Sequence, residues 1–268
     1  MKKIKISSIL TYLFLVLGAI IMIFPFFWMI TGSFKTSTEV STFPPQWLPK
    51  SLNFDNYKFA FETAPFLRYF INSVIVVVSS VTVCTVTTIL GAFAFSRLRF
   101  PGREAIFGAL LAMMMVPFEM LIITNYRTIT KWGIHDTLWA MIIPFMSSIF
   151  YTYILKNFFD TVPDSLYQAA RVDGCSDWKY LWRVMVPIAK PSLVTIILLN
   201  AIASWNSFLW PMLATSSANV RTLPFGLYNF VTEGGARNEV MMAAATIVVL
   251  PMLILFLFAR KYIVNGVA

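Results

Sequence analysis

Residues 161–191 read T-V-P-D-S-L-Y-Q-A-A-R-V-D-G-C-S-D-W-K-Y-L-W-R-V-M-V-P-I-A-K-P, a long polar insertion between apolar segments. Thr161 and Asp164 stand at capping-box spacing with Pro163 in the first turn, so the spacing predicts a helix start here. Gly174 can take the left-handed conformation that closes a helix. Ser176 is placed to cap a second helix, on which Trp178, Leu181, Trp182 and Met185 fall on one apolar face. Pro187 and Pro191 halt that helix or bend it into the next apolar run. Two short helices meeting at a glycine elbow, with Ala169 and Ala170 leaving a flat surface, suit docking into a groove on another protein. The plainer reading is an amphipathic loop between membrane spans.

Gln168-Ala169-Ala170, three residues, Gly174, then an apolar run to Val186-Pro187 resembles the EAA loop of ABC importer permeases. That family carries Glu where this chain has Gln168, and Ala where it has Cys175. A glutamine keeps length and hydrogen bonding but loses the charge. The resemblance implies that the loop's helix is a coupling helix seated in a cleft of a separate ATPase. Gln168, Ala169, Ala170, Asp173 and Gly174 are then the ATPase-coupling residues.

The composition sets the class. Of 268 residues, 58% are apolar, 16% aromatic and only 12% charged, and the mean hydropathy is +0.74. A soluble domain carries about 25% charged residues, so this is an all-α polytopic membrane protein. Cys84 lies in an apolar run and Cys175 in the polar insertion, which argues against a disulfide, and a single histidine, His135, leaves no metal-ligand spacing.

Six transmembrane helices are expected, at about 9–30, 70–95, 105–124, 137–155, 192–213 and 240–258, in a single permease domain covering 1–268. The coupling loop 161–191 falls between spans four and five. The first apolar run exceeds the roughly 7–15 residues of a signal-peptide core and lacks an Ala-x-Ala site, so it reads as a retained span. Residues 31–69 form a proline-rich loop with a short interfacial helix near Asn56–Thr63. Its F-P-P-Q-W-L-P-K-S-L-N-F-D-N-Y and R-Y-F-I-N-S resemble the first external loop of carbohydrate-type permeases. The serines and threonines of span two favour a bundle-facing position.

Glu119 in span three has two readings: a functional intramembrane carboxylate, or one close enough to the surface to be hydrated. Span five carries N-A-I-A-S-W-N-S-F-L-W-P, and unsatisfied amides in hydrocarbon cost several kcal/mol. Asn200, Trp205 and Asn206, with Glu119, are therefore candidates to line a translocation path, with packing against a partner as the alternative. The W-N-x-F-x-x-P here again resembles the family. In the second external loop, about 214–239, the resemblance implies contact with a solute-binding protein around Pro224, Gly226, Tyr228, Gly234 and Gly235. The family commonly ends in a glycine-rich tail containing a lysine. Here the chain stops at Gly266-Val267-Ala268, so any role of that tail is expected to be lost.

The net charge of +9 is explained by orientation, with no nucleic acid required. With both termini cytoplasmic, Lys2, Lys3, Lys5, Arg97, Arg99, Arg103 and the basic residues of 156–190 and 260–261 lie inside. The outside ones sit mostly in the two long loops, which count less. No Walker A pattern is present, so ATP and Mg2+ belong to a partner ATPase and this chain binds no cofactor. The resemblance, closest to the second membrane subunit of carbohydrate-uptake systems, implies further partners. These are a second permease in a heterodimer, two ATPase subunits, an external solute-binding protein and the lipid bilayer of the bacterial cell membrane. The expected function is import of a sugar, oligosaccharide or glycerol-phosphate-like solute by alternating access, with this chain a transport subunit and not an enzyme. An ion-coupled secondary transporter is the alternative. It predicts paired intramembrane charges and an inverted repeat, where this chain has one carboxylate and no repeat. A membrane enzyme would need a His, Asp or Glu cluster at the surface.

Overall fold

A computed structural model describes residues 6–233 and 237–267, and the regular elements among them are all helical. In chain order these are α1 (Ile6–Ser33), α2 (Ser37–Ser41), α3 (Asp55–Thr63), α4 (Phe66–Arg97), α5 (Arg103–Met113), α6 (Phe118–Lys131) and α7 (Leu138–Ile142). There follow α8 (Ile149–Asp160), α9 (Asp164–Val172), α10 (Asp177–Tyr180), α11 (Val186–Ile188), α12 (Lys190–Trp205), α13 (Leu209–Ala214), α14 (Leu223–Glu233) and α15 (Asn238–Val267). The chain divides into two compact units. One takes the described residues up to Leu67 with Gly226–Leu253, the other Arg68–Phe225 with the described residues from Ile254 onward.

Among the described residues, two helices are long and apolar enough to cross a bilayer unbroken: Leu10–Ser33 within α1, and α4. Three more pairs qualify if each bent pair counts as one span, which brings the number to five. At 1.5 Å per residue α1 is about 42 Å long, against about 30 Å of hydrocarbon. From Leu10 to Phe27 every residue except Gly18 is exposed. Such a surface, apolar all round, is stable in lipid or against another apolar chain and nowhere else.

Two of the bent pairs, and a break after α12, alter the predicted spans. The span expected at 105–124 is broken at Met114–Pro117, and its halves α5 and α6 meet at 96°. Pro117 lacks an amide proton and pushes Val116 out of the helical region, so the helix stops there. The next bends by 40° between the 3-10 turn Ile143–Phe145 and α8, which Ser148 caps by accepting from the Tyr151 amide. α12 ends at Trp205, short of the predicted 213, and α13 restarts at Leu209. The predicted loop 214–239 holds the helix α14.

In the first unit the end of α1 is tied down by its own loop. The Asn56 Nδ2 donates to the carbonyls of Ser33 and Lys35, both at 2.8 Å, and the Ser33 and Tyr57 hydroxyls share a 2.7 Å hydrogen bond. These bonds satisfy carbonyls that a helix end leaves open. α2 opens with a capping box, in which the Thr36 amide donates to Glu39 and the Glu39 amide to Thr36. The Thr36 amide holds the Glu39 carboxyl below the ordinary range, outweighing burial.

In the second unit α4 presents Ser73, Ser80, Cys84, Thr88 and Ala92 as one buried stripe at helical spacing. Hydrophobic packing gathers at two levels of it. Near one level Val76 joins Ile129, Met141 and Trp210, and the Trp210 indole donates to the Ala140 carbonyl at 2.9 Å. About 20 Å along the helix, Ile89, Ala92 and Phe93 pack with Leu155, Phe159, Tyr180, Leu181, Met185 and Ile196. That second cluster is the foundation of the site.

Candidate functional site

α9 begins at Asp164, directly after Pro163, whose fixed φ suits the last residue before a helix. Thr161 does not cap it, contrary to the sequence reading. Its hydroxyl donates to the Phe158 carbonyl at 2.7 Å and it closes α8 instead. The far end of α9 forms a Schellman motif. The Cys175 amide donates to Ala170 O at 2.9 Å, and the Gly174 amide to Arg171 O at 3.1 Å. Gly174 supplies the left-handed φ of +72° that this closure requires. Ser176 then caps α10 by accepting from the Lys179 amide at 3.3 Å. The glycine elbow and the second cap stand as predicted.

The predicted apolar stripe of the second helix is altered. Residues Leu181–Met185 form a π turn, so the 3.6-residue period lapses within the stripe. Leu181 and Met185 are buried, but Trp178 is 63% exposed and touches Trp182 edge-on at 5.7 Å. Past Ala189 the chain bends by 80° into α12, with Pro187 and Pro191 on either side.

The elbow is bolted to the end of α4 by Arg97. This buried guanidinium donates to Asp164 Oδ1 at 2.7 Å, to Phe159 O at 2.7 Å and to Val162 O at 2.5 Å. It thus grips the last turn of α8 and the first turn of α9 at once. A second tie links α9 to α10: the Tyr167 hydroxyl donates to Asp177 Oδ1 at 2.7 Å. Burial and this bond push the Tyr167 phenol up from its ordinary value. The rings of Phe93, Tyr167 and Tyr180 pack together at 5.1–6.5 Å, and Ala170 packs on the same core. An open cleft of about 990 Å³ lies beside α9, lined among others by Arg97, Arg99, Arg103, Tyr167, Gln168 and Arg171.

The five predicted coupling residues lie together on α9 and its cap. Gln168, Ala169, Asp173 and Gly174 are exposed, while Ala170 is half-buried. Leu166 and Val172, 46% and 87% exposed, extend the same outward surface. Small and aliphatic groups on a helix whose inner side is bolted down form a rigid ridge. Such a ridge can seat in a groove and carry force in either direction.

The other predicted residues are dispersed. Asn200 and Trp205 are buried on α12, Asn200 beside Cys84, and the Trp205 indole N–H has no partner among the described residues. Trp205 meets Phe70 edge-on at 6.0 Å, and Asn206, exposed, begins the break after α12. Glu119 is exposed in the first turn of α6, just past the Pro117 break. Pro224, Gly226 and Tyr228 sit on α14, with Gly226 buried and Tyr228 47% exposed. Gly234 and Gly235 lie outside the described residues. Among the described residues no group of three or more His, Cys, Asp or Glu is placed to hold a metal.

Sequence reasoning missed Arg97, counted only among the charges on the inner side, and Asp136. Asp136 takes a positive φ of 60°, and its Oδ1 accepts from the Ser216 and Ser217 amides at 2.7 and 2.9 Å. Only the Gly133-x-x-Asp136 turn chemistry hinted at it. The Thr36-x-x-Glu39 spacing carries the capping-box signal of α2 in the sequence itself.

Comparison with known proteins gives the family and the fold. Residues 65–268 match the family described as binding-protein-dependent transport system inner membrane component. The inner membrane ABC transporter permease protein YcjP of Escherichia coli is 35% identical over 98% of this chain and 96% of its own. The arabinooligosaccharides transport system permease protein AraQ of Bacillus subtilis is 29% identical over 95% and 92%. A chain in the crystal structure of a bacterial ABC transporter involved in alginate import shares the fold, with a TM-score of 0.87. That match covers 98% of this chain and 99% of that one, at 23% identity. The exposed elbow helix on its buried arginine is thus carried by a chain that belongs to the family of inner membrane components of binding-protein-dependent transport systems.

Proposed function

We propose that this chain is the permease subunit of an ATP-driven, binding-protein-dependent importer. It moves a sugar or oligosaccharide, or a glycerol-phosphate-like solute, into the cell by alternating access. The observation that carries this is the exposed, Schellman-closed α9, clamped to α4 by Arg97. The oligosaccharide named for the Bacillus subtilis relative supports the substrate class.

In this reading the chain makes six spans of the bacterial cell membrane with both termini cytoplasmic, and α9 faces the cytoplasm. It pairs with a second permease, and the two coupling helices seat in two ATPase subunits, where ATP and Mg2+ are bound. Closure of the ATPase dimer pushes α9. Because Arg97 and the Phe93–Tyr167–Tyr180 packing join α9 to α4, α4 moves with it. Gln168, Ala169, Ala170, Asp173 and Gly174 form the coupling surface. The buried polar side chains of Asn200 and Trp205 on α12, with Asn206 and Glu119, belong to the path, and the α14 region with Pro224, Gly226, Tyr228, Gly234 and Gly235 contacts a solute-binding protein.

The test is purification of the tagged protein from detergent-solubilised native membranes with mass spectrometry of what accompanies it. A P-loop ATPase and a second six-span chain are expected. Recovery of the chain alone, or as a homodimer, overturns the reading.

A further inference from the structure

We infer that residues 43–54, F-P-P-Q-W-L-P-K-S-L-N-F, are an interfacial anchor seated in the headgroup layer of the leaflet where α1 ends. The inference rests on reading α1 as a span, as the proposed function does.

The depth of this stretch follows from α1. Between Lys5 and Lys35 no residue is charged. Counted from Leu10, about 30 Å of hydrocarbon is used up after about twenty residues, near Met29 and Ile30. Trp28 therefore stands at the boundary. Trp47 packs on it edge-on at 6.3 Å, and on Phe24 at 5.8 Å. The loop thus folds back to the boundary and does not extend away into water.

Its side chains have the matching chemistry. Phe43 is 90% exposed, and Trp47, Leu48, Leu52 and Phe54 are each 62–64% exposed. In water this would be a large uncovered apolar patch. It runs on from the exposed apolar surface of α1 through Trp47, which points to the occupant that covers α1 there, the bilayer. Between Thr42 and Phe54 the backbone has no regular structure, and open N–H and C=O groups exclude the hydrocarbon core. Apolar and aromatic side chains on an irregular, hydrated backbone fit the interface, where tryptophan is enriched. Lys50, exposed beside them, can reach lipid phosphate while its stem lies on apolar surface.

The experiment uses the full chain in its co-purified complex, with Cys84→Ser and Cys175→Ser and a single new cysteine at Leu48, Phe43 or Ile20. Each carries an environment-sensitive fluorophore in nanodiscs of phosphatidylcholine and phosphatidylglycerol. Quenching is compared for lipid nitroxides near the headgroup, lipid nitroxides near the tail end, and a water-soluble nitroxide. Severalfold stronger quenching of the Leu48 or Phe43 label by the headgroup-proximal nitroxide is expected. Quenching of both by the water-soluble reagent alone overturns the anchor. So does protection from all three, which would mean that a partner protein covers the loop. The Ile20 label separates the failures: quenching by the water-soluble nitroxide would show that α1 is no span, and the functional reading would fall with it.

Discussion

Arg97 and Asp164 meet at 2.7 Å from opposite environments, the guanidinium side chain 4% exposed and the carboxylate 73%. The two ends of this ion pair therefore matter unequally. Arg97 also donates to two buried backbone carbonyls, those of Phe159 and Val162, the first of which also accepts from the Val162 amide. Arg97→Ala takes a donor from three acceptors at once, whereas Asp164→Asn leaves Arg97 bonded to Phe159 and Val162.

The expected costs follow. Arg97→Ala should lose about 2–4 kcal/mol, because it removes charge-assisted hydrogen bonds to two buried carbonyls. Asp164→Asn should lose about 1 kcal/mol or less, as exposed pairs do. Thermal unfolding in detergent measures both, and equal losses would show that the carboxylate, and not the carbonyls, holds Arg97. Arg97→Lys should recover only part of the loss, since an ammonium cannot reproduce the planar fork.

Gly174 isolates a backbone effect. A Cβ there would meet no described atom within 4 Å, yet the φ is +72°. Gly174→Ala should cost about 1–2 kcal/mol from left-handed strain alone. Gly174→Asn should cost less, because asparagine accepts this conformation, and Gly174→Val should cost more. The same order in unfolding midpoints and in ATPase retention would tie the closure of α9 to docking.

Ala169 is exposed on the outward side of α9, so Ala169→Glu should alter stability by no more than about 0.5 kcal/mol. It should nevertheless abolish solute uptake and release the ATPase during purification. Normal uptake with this variant would remove α9 from the coupling role.

Asp136 brings an acid-sensitive tie. Burial pushes its carboxyl up, but the Ser217 and Ser216 amides together hold it below the ordinary value of 3.8. A depressed carboxylate adds stability that is fully present above its unfolded pKa and is lost as pH falls through the folded one. Unfolding midpoints should therefore be flat near neutrality and decline below about pH 4. Asp136→Asn keeps a residue that tolerates positive φ but removes the charge, so it should be less stable at neutral pH and lose this part of the acid dependence. An unchanged acid limb would place that sensitivity elsewhere.

The elbow was legible because its instructions are local. Gly174 and Ser176 act within a few residues of themselves, and Pro187 and Pro191 mark the turn into α12. The break of the expected third span was also announced, by Pro117, but the apolar run on both sides outweighed it in the reading. The face of Trp178 was not legible, since a π turn begins three residues later and side-chain period is read on the assumption of an unbroken α-helix.

Composition and periodicity alone determined that this chain is helical, that it belongs in a bilayer and that a polar elbow interrupts it. Those properties depend on the count and order of apolar groups and on caps that reach three or four residues. Only the tertiary structure decided that Arg97 grips α8 and α9 together, or that Asp136 ties down Ser216 and Ser217 some eighty positions away. A buried charge or carboxylate must find donors or acceptors wherever packing brings them, and that choice is made by the whole fold and not by neighbours in the chain.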